Sequence, residues 1–222
     1  IELKNCYDGY HFVPDCPGVY NLFSLLNTFK YLQMGNYWFE TGTPTYLVKL
    51  LKRSNYNLYN MAHTETDADV LNSLDSTSTN PIPVIYQSGY LTIKGYNREF
   101  GTYRLGFPNR EVEEGFMKYL LPFYANTNKV DSSFHIQQFV REVRAGDYDA
   151  FFHRLQSLFA DTPYELIRDL ELHYQNVLFI VFKLIGLYVK AEYHTSQGRI
   201  DLVLQTDQFI YVMEFKLEGT AD

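Results

Sequence analysis

The sequence predicts a mixed α/β protein of the α+β kind. A helical module with a winged-helix-like β-hairpin comes first, and a domain with the local order helix, strand, strand, strand follows. Three observations carry this reading. The first fifty residues hold closely spaced Leu, Phe and Tyr at helical intervals; residues 89–107 alternate apolar and polar side chains around a polar loop; and the C-terminal part combines one long apolar helix with three short apolar strands. A chain of 222 residues is long enough to bury a real core in one large domain or two small ones.

Taken in order, Val19 to Leu32 and Tyr46 to Lys52 read as helices, separated by Gly42-Thr43-Pro44. Residues 53–82 are rich in Asn, Ser, Thr and Asp and read as a surface connection. Gly89 to Ile93, Lys94 to Tyr96 and Thr102 to Phe107 then form the hairpin, around the loop Asn97-Arg98-Glu99-Phe100-Gly101. Asn109 is placed to cap a helix running to about Pro122. Residues 125–133 are the best linker candidate, so the expected domains are 1–128 and 129–222.

Two amphipathic helices follow, near 134–144 and 147–159. Thr162-Pro163-Tyr164-Glu165 is a capping box with proline at the first helical position, opening a helix that continues to about Gly186. Strands are expected near Leu187–Tyr193, Arg199–Gln205 and Phe209–Leu217, the last two joined by a tight turn at Thr206-Asp207-Gln208.

The formal net charge is -7, and acidic residues outnumber basic ones in 129–222 as well. A general nucleic-acid-binding surface shows as a basic stripe, so the balance argues against one. It leaves room for an enzyme with a local basic channel beside an acidic metal site. Cys6 and Cys16 make neither a disulfide framework nor a metal knuckle, which suits a reduced, cytoplasmic protein. No stretch reaches the roughly 18 apolar residues of a membrane span, and no signal peptide is visible, so no membrane partner is expected. The chain starts at Ile1 and stops just after a strand, and we expect it to be a fragment of something longer. It has no G-x-x-x-x-G-K-[ST] phosphate loop, so ATP is not an expected ligand. Homo-oligomerisation is left open.

Chemistry concentrates on the last strands. Ile210, Val212, Glu214 and Lys216 share one face, and Phe209, Tyr211, Met213 and Phe215 take the other. Both faces are mostly apolar, which reads as a central strand with Glu214 pushed toward a buried surface. Asp201 sits between Ile200 and Leu202 in a strand of the same kind. A buried carboxylate seeks a cation, and hard oxygen donors suit Mg²⁺ or Mn²⁺. Lys216 would then polarise the attacking water or the scissile phosphate. Ile167, Glu171, Leu178, Phe182 and Ile185 form one helical stripe on which Glu171 is the only charge. Glu171 is therefore a third candidate for the metal shell. The same residues also fit a structural ion pair, Glu214–Lys216 or Asp201–Arg199. His173 and His194 flank the region, and a lone histidine is more often structural or solvated than catalytic.

The segments Gly198-Arg199-Ile200-Asp201-Leu202-Val203-Leu204 and Ile210-Tyr211-Val212-Met213-Glu214-Phe215-Lys216 together resemble the PD-(D/E)XK nuclease superfamily. More narrowly, Glu171-Leu172-His173-Tyr174-Gln175 and Tyr193-His194-Thr195-Ser196 resemble the nuclease-like C-terminal domain of bacterial proteins that begin with an AAA-ATPase-like domain. Upstream, Tyr7-Asp8-Gly9-Tyr10-His11-Phe12 and Tyr20-Asn21-Leu22-Phe23-Ser24-Leu25-Leu26 are similar to the later part of that ATPase-like domain. So are Tyr37-Trp38-Phe39-Glu40-Thr41-Gly42-Thr43-Pro44 and Tyr86-Gln87-Ser88-Gly89-Tyr90-Leu91-Thr92-Ile93. The resemblance implies a restriction-endonuclease-like α-β-β-β core. It implies that Asp201 and Glu214 are metal ligands, Lys216 the catalytic lysine and Glu171 the helix glutamate. The implied cofactor is Mg²⁺ or Mn²⁺ and the implied substrate DNA or RNA. The alternative is a catalytically silent nuclease fold serving interaction or regulation.

Overall fold

The computed structural model describes residues 2–40, 45–61, 63–73, 80–160, 169–196 and 199–216. The chain divides into two compact units, Ile1–Phe116 and Met117–Asp222, and the division falls inside one helix, Arg110–Tyr124. The capping box at 162–165 and Gly42-Thr43-Pro44 lie outside the described residues.

In the first unit the elements run α1 (Glu2–Tyr7), α2 (Leu22–Tyr31), α3 (Tyr37–Glu40), α4 (Thr45–Arg53), α5 (Leu58–Met61), β1 (Glu65–Thr66), α6 (Ala68–Asn72), α7 (Ile82–Gln87), β2 (Thr92–Asn97), β3 (Thr102–Gly106) and the start of α8 (Arg110–Tyr124). Polar side chains open the helices where backbone donors would be orphaned. Asn21 accepts from Ser24 N, Asp67 from Val70 N and Asn109 from Val112 N. The expected hairpin is present as β2–β3, and β1 adds to it in the antiparallel order β1-β3-β2. Its loop is set by Asn97, whose Oδ1 accepts from Glu99 N at 3.0 Å, and by Gly101 at φ 67°, a left-handed conformation that glycine adopts without strain.

The stretch expected to be a bare surface connection is more structured than its polarity suggested. Leu58, Met61 and Leu71 are buried there, and sparse apolar residues at helical spacing were enough to anchor α5 and α6.

Glu111, in the first turn of α8, is only 2% exposed. Its Oε1 accepts from Ser24 Oγ at 2.8 Å and from Trp38 N at 3.0 Å, tying α2 and α3 to α8. Burial pushes its carboxyl pKa up, and the hydrogen bonds from Trp38, Ser24 and Tyr37 offset part of that rise. A raised folded pKa means stability fully present below the unfolded value and lost as pH rises through the folded one. Glu111→Gln keeps the acceptor and removes the titration. The stability of the variant relative to wild type is therefore expected to rise between pH 4 and pH 7, read from urea unfolding across that range. A difference independent of pH would mean that Glu111 does not titrate in this window.

The second unit holds the rest of α8, then α9 (Lys129–Ala145), α10 (Tyr148–Ala160), α11 (Leu170–Ile185), β4 (Lys190–Ser196), β5 (Arg199–Gln205) and β6 (Ile210–Lys216). The expected order of helix and three strands is present. The linker expected at 125–133 is cut short, because Asn128 caps α9 by accepting from Asp131 N at 2.9 Å. Arg154 of α10 donates through Nε to Glu142 Oε1 of α9 at 2.7 Å, across the short connection between the two helices.

Residues 176–182 of α11 are all buried, on every side of the helix, so α11 is the central core element of this unit. The sheet lies in the order β4-β5-β6, antiparallel throughout. Its inner face carries Tyr193, Leu202, Leu204 and Phe215, with Phe179 of α11 edge-on to Tyr193 at 5.6 Å and Phe182 5.8 Å from Phe215. Tyr211 OH also donates to Val143 O of α9 at 2.9 Å.

Among the described residues, no helix is long and apolar enough to cross a membrane.

Candidate active site

Strand register brings two of the candidate residues together. In the β5–β6 pair Asp201 stands opposite Glu214, followed by Leu202 opposite Met213 and Val203 opposite Val212. Thr206 fixes this register at the turn: its N–H donates to Phe209 O at 2.8 Å, and its Oγ1 accepts from Phe209 N at 2.9 Å. Residues directly opposite on antiparallel strands share a face, with Cβ atoms about 5 Å apart, and like charges so placed are destabilising. A cation between them offsets that cost. The donor set suits a hard divalent ion in kind, since both groups are carboxylates.

The face they share is the outer one. Asp201 is half-buried and Glu214 exposed, and Ile210 and Val212 on the same face are 68% and 79% exposed. This corrects the expectation of a central strand with a buried glutamate. Among the described residues β6 is an edge strand, and β5 is the central one. The period-two pattern separates two faces correctly but does not say which of two apolar faces meets the core. Here the aromatic face, with Tyr211 and Phe215, packs on the helices.

Lys216 ends β6 at the register position of Arg199, and its side chain lies outside the described residues. Glu171 is placed differently from the inward stripe read in the sequence. It lies in the first turn of α11, capped by Asp169, and it is exposed, accepting from Gln175 Nε2 at 3.1 Å. The continuous buried stretch of the helix, 176–182, begins only at Asn176. A carboxylate in a first helical turn is favoured by the helix dipole alone. Among the described residues no three His, Cys, Asp or Glu side chains are grouped to hold a metal ion, so the described donors are the Asp201–Glu214 pair.

One residue gains significance from the register. β4 was expected to end at Tyr193, yet it runs to Ser196, and His194 occupies the position opposite Asp201. The available signal was the short span between Ser196 and Arg199, which pair with each other. A two-residue connection fixes hairpin register tightly.

Residues 169–222 match the family model of the PD-(D/E)XK nuclease superfamily, a span that takes in α11, the three strands and Asp201, Glu214 and Lys216. The resemblance to that superfamily read from the sequence holds over this segment, which is nuclease-like. The chain is also 32% identical over 225 residues to an uncharacterized protein in the vnfD 5′ region of Azotobacter chroococcum mcd 1, covering 97% of this chain and 43% of that protein. It thus spans less than half the length of this relative. No solved structure matches the chain.

Proposed function

We propose that this protein is a metal-dependent nuclease that hydrolyses phosphodiester bonds in DNA or RNA. The observation that carries the reading is the pairing of Asp201 with Glu214 inside the nuclease-like segment. Asp201 and Glu214 would hold a Mg²⁺ or Mn²⁺ ion, with Glu171 as a further acidic group on the helix that precedes the sheet. The ion supplies Lewis acidity and neutralises charge on the phosphate. Lys216, two residues beyond Glu214 on the same strand face, would place a positive charge at the attacking water or the scissile phosphate. In the reaction a water oxygen bonds to phosphorus, the phosphorus–oxygen bond to the leaving sugar breaks, and a water proton is released.

The first unit, with its hairpin and helices, fits the later part of an AAA-ATPase-like domain with a winged-helix-like arrangement. Coupling of cleavage to ATP hydrolysis elsewhere in a full-length protein belongs to this reading, as does a cytoplasmic location. Free Cys6 and Cys16 support that location.

The test is cleavage of labelled single- and double-stranded DNA and RNA by full-length protein with Mg²⁺ or Mn²⁺, comparing wild type with Lys216→Ala. Cleavage by wild type that the variant loses supports a nuclease. Well-folded, metal-loaded protein that cuts none of the four substrates moves the assignment to a nuclease fold used for interaction or regulation, which the net charge of -7 favours.

A further inference from the structure

Helix α2 in the first unit is built inside out. Its buried side is polar: Ser24 donates from Oγ to Glu111 Oε1 at 2.8 Å, and Thr28 donates from Oγ1 to Tyr7 OH at 2.9 Å. Its other side carries Leu22, Phe23, Leu26 and Phe29, which are between 49% and 64% exposed. At about 100° per residue these four fall within one arc of about 120°, and Ser24 and Thr28 lie outside it. Val19 and Tyr20 before the helix, and Tyr31 and Leu32 at its end, are exposed as well. Lys30 is the only charged residue between Cys16 and Glu40, and its ammonium lies 4.9 Å from the centre of the Tyr31 ring. Turning α2 to bury the apolar stripe would break both side-chain bonds and take one donor from the buried Glu111 carboxylate, which is costly.

Single exposed apolar residues are ordinary, but a contiguous stripe of them marks a surface that something covers. Two observations choose the occupant. Interfaces made and broken in solution keep a polar rim, whereas permanent ones resemble a core cut in half, and the charge-poor α2 stripe is of the second kind. The chain also spans only 43% of the relative to which it is 32% identical, so more than half of that relative's length has no counterpart in these 222 residues. A segment of the same polypeptide is present at high effective concentration and covers the stripe at any dilution. We propose that the outer face of α2 docks the part of the full-length protein that lies outside these 222 residues, with Leu22, Phe23, Leu26 and Phe29 as the contact. This docking is independent of the nuclease reading.

The experiment uses full-length protein in which Cys6→Ser and Cys16→Ser leave one new thiol, Leu26→Cys, with circular dichroism to establish folding. That thiol should react with a maleimide at least about tenfold more slowly than in the same protein unfolded in urea, at every protein concentration, because reaction waits for the docked segment to open. In a second sample Phe29 is replaced by the photo-crosslinker p-benzoylphenylalanine. Irradiation should give a product of monomer mass in which position 29 is joined to a peptide from outside the 222 residues. A Leu26→Cys thiol that reacts at the unfolded rate means an open face and overturns the docking. Protection that fades on dilution, with crosslinks of dimer mass, overturns it in favour of a second copy. Crosslinks that end within the 222 residues, or no crosslink at all, overturn it as well.

Discussion

Asp201→Ala is expected to abolish metal-dependent cleavage, with kcat/KM falling by about a thousandfold or more. Metal stabilisation of the transition state is worth several kcal/mol, and each 1.36 kcal/mol is about a factor of ten in rate. In stability the same variant should differ from wild type only when metal is present. Asp201 lies half-buried on the outer face of the sheet, opposite Glu214, so in metal-free protein its truncation should change stability by no more than about 0.5 kcal/mol. Wild type at a hundredfold excess of ion over Kd gains about 2.7 kcal/mol, and the variant gains none of it. Thermal melts with and without Mn²⁺ separate the cases. A metal-site Asp201 gives a variant as stable as wild type without metal and unresponsive to added metal. A structural ion pair such as Asp201–Arg199 gives a variant destabilised to the same extent under both conditions.

The part of the fold that bears on function was largely legible, and the reason is local. α11, β5 and β6 are each specified by their own apolar runs, whereas β4 is mostly polar and is set by its pairing with β5, and Thr206 marks the turn that sets the Asp201–Glu214 register. Where the reading failed, the missing information was tertiary. Ile210 and Val212 look like core residues in a strand, but only packing decides that Tyr211 meets α9, Phe215 meets α11, and Ile210 and Val212 face out. Glu171 sits on an apolar stripe in projection, yet it precedes the buried part of α11 by more than one turn. Asn128 looked like part of a linker because Asn favours loops, although its side chain also makes it a good helix cap. The end of β4 was misplaced because its last residues, His194 to Ser196, are polar and are held in the sheet only by their register with β5.

Phe182→Ala tests which face of the sheet is the core, and it is expected to be the most destabilising change in the second unit. Phe182 is 1% exposed and joins three elements: its ring lies 5.8 Å from Phe215 of β6, 6.3 Å from Tyr193 of β4 and 6.5 Å from Phe151 of α10. Truncating such a phenylalanine costs about 3–5 kcal/mol, from lost transfer energy and the cavity left behind. That is a large fraction of the roughly 5–15 kcal/mol that holds a typical domain, so the unit should melt earlier by about 4–8 °C for each kcal/mol lost. Phe182→Leu keeps most of the volume and should cost far less. Val212→Thr is the counterpart on the other face. At 79% exposure it should change stability by no more than about 0.5 kcal/mol. Both substitutions bear on β6, one through the face that meets α11 and one on the opposite face, so their ratio isolates the face rather than the strand. A Val212→Thr as costly as Phe182→Ala would mean that the outer face, with Asp201 and Glu214 on it, is covered in the folded protein.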